Sequence, residues 1–247
     1  MKVSFFEEFP NETNLNKLSL INFPTKLYLA DYSIEGYKLY KKQLQKRNKN
    51  LKEVIWWPIL NLKEGYWLSP WSKRKALLRL FHQLLNEKVP ILWDAELPRK
   101  RILLFTQFLK YFKNKKLIKS FFMKYKGQIY TAEYMADTKL LNYNLLNFNP
   151  NIYKNIKCKM IYTSMHSWID EEVLKKVIKE YYEKYNADIV IGLGLLEKGV
   201  GSNEKVISPE QLERDLKICK ELNVPEVILF RLGGLNKEYL KVIKKFL

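Results

Sequence analysis

Two carboxylates two residues apart, Asp94 and Glu96, stand in the stretch Pro90-Ile-Leu-Trp-Asp-Ala-Glu-Leu-Pro98. Side chains alternate faces along a strand, so a strand carrying this stretch turns both acids the same way. Two acids held together at the end of a buried strand repel and desolvate each other, which raises the pKa of at least one. The chemistry such a pair offers is proton donation near neutral pH. Further acids stand where other short apolar runs end: Glu7 and Glu8, Asp31, and Glu133. Each of these has a second reading, as a cap on the helix that follows. Tyr162, His166 and Arg231 stand at or just past the ends of later runs. His82, within Leu80-Phe-His-Gln-Leu-Leu85, reads as helix surface or core edge.

Apolar runs of strand length recur about thirty residues apart. They are Lys2 to Glu7, Lys26 to Asp31, Val54 to Leu60, the Pro90 stretch, Gln128 to Glu133, Lys157 to Thr163, Asp188 to Gly192, and Val227 to Arg231. None alternates cleanly, as expected of strands covered by helices with both faces buried. Helical spacing follows each run. It covers Ile34 to Arg47, then Lys73 to Asn86 with Leu77, Leu78, Leu80, Phe81 and Leu84 at helical spacing. Arg99 to Lys124 reads as one long helix or two, and Thr138 to Leu146 as a shorter one. Ser167, three residues before Asp170, has the spacing of a capping box. Ser208-Pro-Glu-Gln211 has a serine cap, a proline in the first turn and a glutamine at the third position. Eight such units in 247 residues predict one (β/α)8 barrel domain over residues 1–247. The carboxyl ends of the strands then form the mouth. No Rossmann fingerprint or P-loop points to a different α/β fold.

Composition bounds the partners. Hydrophobic content of 47% with 28% charged residues is that of a folded protein. The net charge of +18 comes from lysines spread over nearly every helix, densest from Lys100 to Lys126. No RRM, KH, zinc-finger or helix-turn-helix signature accompanies them, so nucleic acid or another polyanion is not favoured as the partner. Cys158 and Cys219 form no CxxC pair and stand near no His, and read as structural thiols. No apolar run approaches the roughly 20 residues of a membrane span, and no membrane partner is expected. The N-terminus lacks the marks of a signal peptide, which predicts a cytoplasmic protein. No cofactor or resident metal is expected. An oxygen-only Mg²⁺ site from Asp31, Asp94, Glu96 and Glu133 stays open.

Trp56, Trp57, Tyr66, Trp67 and Trp71 cluster after the third run, with Trp93 and Trp168 at other run ends. Flat aromatic faces stack on the C–H faces of sugars and on nucleobases, or they pack a loop over the mouth. Asp94-Ala-Glu96 together with Met160-Ile-Tyr162 resembles the family-18 chitinase-type glycoside hydrolases. The resemblance implies a carbohydrate substrate, with Glu96 as general acid, Asp94 orienting a substrate N-acetyl group and Tyr162 supporting the intermediate. The chain departs from that pattern at Val89, Leu92 and Thr163, where the family has aspartates. More loosely, it resembles a group of small barrels with a Tyr66-Trp-Leu-Ser-Pro-Trp-Ser72-like loop and a DxELP segment.

The reading that follows is a glycosidase-like barrel. Glu96, Asp94, Tyr162 and Glu133 converge in one pocket, and Asp31, Glu8, Trp57, Trp67, His166 and Arg231 contact substrate. The alternatives are a phosphate-handling barrel enzyme and a non-catalytic glycan-binding barrel. The first of these would hold an anion near Arg231 on the N–H groups of Gly233 to Leu235.

Overall fold

Eight parallel strands close on themselves in chain order, β1 to β8, in the computed structural model, which describes residues 1–247 apart from the side chain of Ala187. The strands are β1 (Lys2–Glu7), β2 (Thr25–Asp31), β3 (Leu51–Pro58), β4 (Ile91–Asp94), β5 (Ile129–Tyr134), β6 (Ile156–Ile161), β7 (Ile189–Leu195) and β8 (Glu226–Phe230). A helix or a helical pair follows each strand: α1 (Glu12–Leu15), α2 (Ile34–Arg47), α3 (Arg74–Leu84), then α4 (Ile102–Thr106) with α5 (Phe108–Lys124). The rest are α6 (Lys139–Tyr143), α7 (Pro150–Tyr153), α8 (Glu171–Tyr185), α9 (Pro209–Glu221) and α10 (Lys237–Lys244). This is the expected (β/α)8 barrel. Two compact units make it up, Met1–Leu29 with Tyr40–Val54 and Lys159–Leu247, and Ala30–Leu39 with Ile55–Cys158.

In the first unit, β1 lies between β2 and β8, with Phe6 level with Tyr28 and with Phe230. These rings meet at centroid distances of 5.4 Å and 6.3 Å. Below them the buried Glu226 accepts hydrogen bonds from Ser4 Oγ at 2.7 Å, Lys26 Nζ at 2.9 Å and Tyr28 at 3.3 Å. Three donors around one carboxylate stand in for the water lost on burial. The next residue along β1, Glu7, turns the other way and meets α1 through Asn14.

In the second unit, Leu92 pairs with Tyr130 and Asp94 with Ala132. Trp93 points outward instead, its ring 5.2 Å from Phe122, 6.0 Å from Phe121 and 6.1 Å from Phe81. Alternation therefore turns Leu92, Asp94, Tyr130, Ala132 and Tyr134 into the barrel, and Trp93, Thr131 and Glu133 out toward the helices.

Several boundaries differ from the sequence reading. Of the two readings of the Arg99 to Lys124 stretch, two helices is the one found, with the break at the buried Gln107. The Thr138 to Leu146 segment shrinks to α6 with Thr138 as its cap, and β7 runs on past Gly192 through Gly194, whose φ of +62° favours glycine. The expected capping box at Ser167 is not formed. The cap of α8 is Asp170, whose side chain accepts from Val173 N at 2.9 Å. Ser208 caps α9 as expected. Asp170→Ala should therefore lower stability by about 1 kcal/mol, the usual worth of a cap, while Ser167→Ala leaves the urea midpoint unchanged.

Candidate active site at the carboxyl ends of strands four and five

β4 ends at Asp94, buried at 3% exposure and facing inward. Ala95 N still donates to Ala132 O at 2.8 Å, but Glu96 N turns back onto Asp94 O at 3.1 Å. Glu96 therefore sits on a turn past the strand, and strand alternation does not set its direction as the sequence reading supposed. What fixes this turn is β5. Leu97 N donates to the hydroxyl of Tyr134 at 3.1 Å, and Tyr134 shares the inward face of Ala132. Burial raises the Tyr134 pKa far above the usual phenol range. The negative charges of Glu96 and then Asp94 raise it further, against the Leu97 hydrogen bond and Arg101. The phenol is thus a neutral hydroxyl lying in the field of both carboxylates. The sequence reading missed it. The only sequence signal was its place, two residues past Ala132 on a strand whose even-numbered residues face inward.

The aromatic loop after β3 is tied to this turn at both ends. Leu68 N donates to Asp94 O at 3.0 Å, and Arg99 N donates to Gly65 O at 3.0 Å. Within the loop, Ser72 Oγ bridges Ser69 N and Trp67 O, both at 3.0 Å. Gly65, at φ 140°, passes so close that a Cβ would stand 2.9 Å from Ser72 Oγ. From outside, Asn114 of α5 holds Pro70 O and Ser72 O at 2.9 and 3.0 Å. The loop is a braced wall. Trp57 is buried and faces inward from β3, opposite in direction to Trp56, which stacks on Tyr37 of α2. Trp67 is half-buried, edge-on to Tyr66.

Glu133 does not join Asp94. It faces outward, fully buried, with Oε2 2.7 Å from the equally buried Lys157 Nζ. Its Oε1 accepts from Thr131 Oγ1 at 2.7 Å and from Phe148 N at 3.0 Å, and Asn147 and Phe148 O take the remaining Lys157 protons. A carboxylate so occupied holds the β5–β6 connection in place. Asp31 likewise ends an outward position. It accepts from Ser33 N at 2.9 Å at the entry to α2, and Gly36 leaves it room where a Cβ would stand 2.5 Å from Oδ1. Burial raises its pKa, with the backbone bonds opposing. Among the described residues no group of three or more His, Cys, Asp or Glu side chains is assembled to hold a metal ion. The oxygen-only Mg²⁺ set is therefore not formed.

The remaining expected residues lie in the first unit. Arg231 is buried, with Nε on Lys198 O at 2.9 Å and one terminal nitrogen 3.2 Å from Glu7 and 3.1 Å from Glu197. Gly233 N donates to Glu7 Oε2 at 2.7 Å, Gly234 N to Arg231 O and Leu235 N to Leu232 O. The place an anion would take is filled by the Glu7 carboxylate, and this rules out the expected phosphate site here. Burial raises the Glu7 pKa against the opposing pull of Arg231 and the backbone donors. Glu8 is buried and accepts from Val200 N at 3.1 Å. Tyr162 is half-buried, its ring 6.0 Å from Phe230, and His166 is exposed beside Trp168 at 5.8 Å. Both cysteines are buried free thiols, and burial pushes Cys219 far up.

No family model and no curated sequence matches the chain. Solved structures do. The glycoside hydrolase domain of PgaB (BpsB) from Bordetella bronchiseptica aligns over 94% of each chain, with a TM-score of 0.55 and 10% identity. A chitinase from Chromobacterium violaceum aligns over 99% of this chain and 98% of its own, at 0.54 and 8%. The 3-keto-D-glucoside 4-epimerase YcjR from E. coli aligns over 100% and 98%, at 0.51 and 11%. The shared feature is the fold.

Two tests follow. Lys157→Met leaves Glu133 buried and uncompensated and should destabilise by roughly 3–5 kcal/mol in urea unfolding. Glu7, whose pKa is raised on folding, contributes stability that is full below the ordinary carboxyl range and fades as pH rises through the raised value. Wild type should therefore exceed Glu7→Gln by more at pH 4 than at pH 7 in paired unfolding curves.

Proposed function

We propose that this barrel is a carbohydrate-active enzyme, and specifically a glycosidase in which Glu96 protonates the leaving oxygen. Asp94, beside it, stabilises positive charge developing on the sugar ring and orients the group next to the reacting carbon. Tyr134 donates a hydrogen bond from a phenol that stays neutral. The aromatic wall carrying Trp67, with Trp57 at the end of β3, offers faces for sugar C–H groups. Tyr162 keeps the supporting role that the chitinase-type resemblance gives it. Glu133, Asp31, Glu8 and Arg231 have structural partners that account for them, and they take no part in the proposed chemistry.

One observation carries this reading: a half-buried phenol lies in the field of two carboxylates at the carboxyl end of a barrel, where such enzymes work. The sugar-acting neighbours, hydrolases and epimerases alike, agree with a carbohydrate ligand. The epimerases supply the second reading, in which the same acid moves a proton on carbon in place of the glycosidic oxygen.

The test uses aryl glycosides, free reducing sugars and glycan binding in parallel. Glu96→Gln removes the proton and keeps the shape, so turnover should fall roughly 10²–10⁴-fold with affinity little changed. Trp67→Ala should weaken binding and leave the pH profile alone. Hydrolysis by Glu96→Gln at the wild-type rate would remove the mechanism. Glycan binding with neither hydrolysis nor epimerisation across the panel would make this a binding barrel.

A further inference from the structure

We propose that the outer face of α4 and α5 docks this protein on the surface of an anionic lipid bilayer. Leu103, Gln107, Tyr111, Asn114, Ile118 and Phe122 form the buried side of these helices. On the other side Ile102, Phe105, Phe108, Leu109 and Phe112 are all exposed, Phe105 at 77% and Leu109 at 89%. Phe108, Leu109 and Phe112 share one side of α5, away from its buried side, and Ile102 and Phe105 stand exposed on α4 just before it. Three phenylalanines and two aliphatics, all exposed on two successive helices, are the kind of apolar surface that marks an interaction site.

Charge selects the occupant. From Leu97 to Ala132 the chain has no Asp or Glu, while Lys110, Lys113 and Lys116 stand exposed along the patch. A second copy would bring the same cations against these, on a chain of net charge +18. A nucleic acid would satisfy the lysines but leave Ile102 and Leu109 against water, since aliphatic side chains give bases nothing to stack on. An anionic bilayer answers both features. Headgroup phosphates meet the ammonium groups, and the apolar side chains enter the boundary between headgroups and acyl chains. No helix among the described residues is long and apolar enough to cross a membrane, so the contact is lateral. The expectation of no membrane partner came from the absence of a spanning run, and a surface contact needs none.

Vesicle sedimentation of the full chain tests this, with phosphatidylcholine vesicles containing phosphatidylglycerol against phosphatidylcholine alone. The wild type should sediment with the anionic vesicles, not with the neutral ones, and release at high salt. Phe105→Ser with Leu109→Ser, and separately Lys110→Glu with Lys113→Glu, should each reduce binding at least about tenfold. Far-ultraviolet circular dichroism and the melting midpoint should stay at wild-type values, since all four side chains are exposed. Absence of binding to the anionic vesicles, or equal binding by both double variants, overturns the proposal. So does a wild-type dimer in ultracentrifugation that Phe105→Ser with Leu109→Ser dissolves, because the face then belongs to a second copy.

Discussion

A closed parallel barrel gives every strand two buried faces and no solvent-facing one, and this constraint decides what each polar side chain at a strand end can do. An acid that turns outward enters the apolar layer between sheet and helices, where an unpaired charge costs several kcal/mol. It must therefore bring a counter-ion or a set of N–H donors with it. Glu133 has Lys157, and Glu7 has Arg231 with Gly233 N. An acid that turns inward at the carboxyl end meets the mouth, where it can keep its charge for chemistry. One residue of shift along a strand moves a carboxylate from one fate to the other.

This sorting explains which features of the molecule were legible in its chain. Eight apolar runs with helical spacing between them gave the barrel, because the lack of alternation in strands buried on both sides is itself a pattern. Parity was legible in principle, but it needs an anchor that says which face is outward. That anchor is tertiary: Trp93 against Phe121 and Phe122, or Trp56 against Tyr37. Without it, Glu133 and Asp31 look the same as Asp94. Glu96 escaped for another reason, since the strand stops two residues before it and a turn takes over. The apolar face of α4 and α5 was hidden because helices that are apolar on two opposite sides show weak periodicity, which reads as simply buried.

The wall beside the candidate site is held by burial and by hydrogen bonds together: Tyr66, Leu68, Ser69 and Ser72 are all buried. Loops over a barrel mouth are normally the mobile part of the fold. Here the segment from Gly65 to Ser72 has hydrogen bonds to β4, to the chain after Glu96, to its own serines and to Asn114. Each is worth on the order of 1 kcal/mol net, so the six together resist displacement by more than a single contact can. An aromatic ring held by such a frame loses little rotational freedom on meeting a flat ligand, which is the advantage of preorganisation.

The Tyr134 phenol completes the division of labour at this end of the barrel. Desolvation and two negative neighbours act in the same direction on it, and the opposing Leu97 bond and Arg101 charge do not overcome them. Its proton is therefore retained across the whole working range of pH. A group that never ionises there cannot act as the titrating acid or base, but it can donate a hydrogen bond of constant strength to whichever oxygen gains charge. In the proposed mechanism the proton comes from Glu96, with Asp94 beside it, and two bonds that support this stretch do not involve either carboxyl. That support comes from outside the pair: Leu97 N donates to the Tyr134 hydroxyl and Leu68 N to the Asp94 main-chain oxygen, and neither bond involves a carboxyl group. On the proposed reading, Glu96 gives up its proton while the frame around it stays fixed.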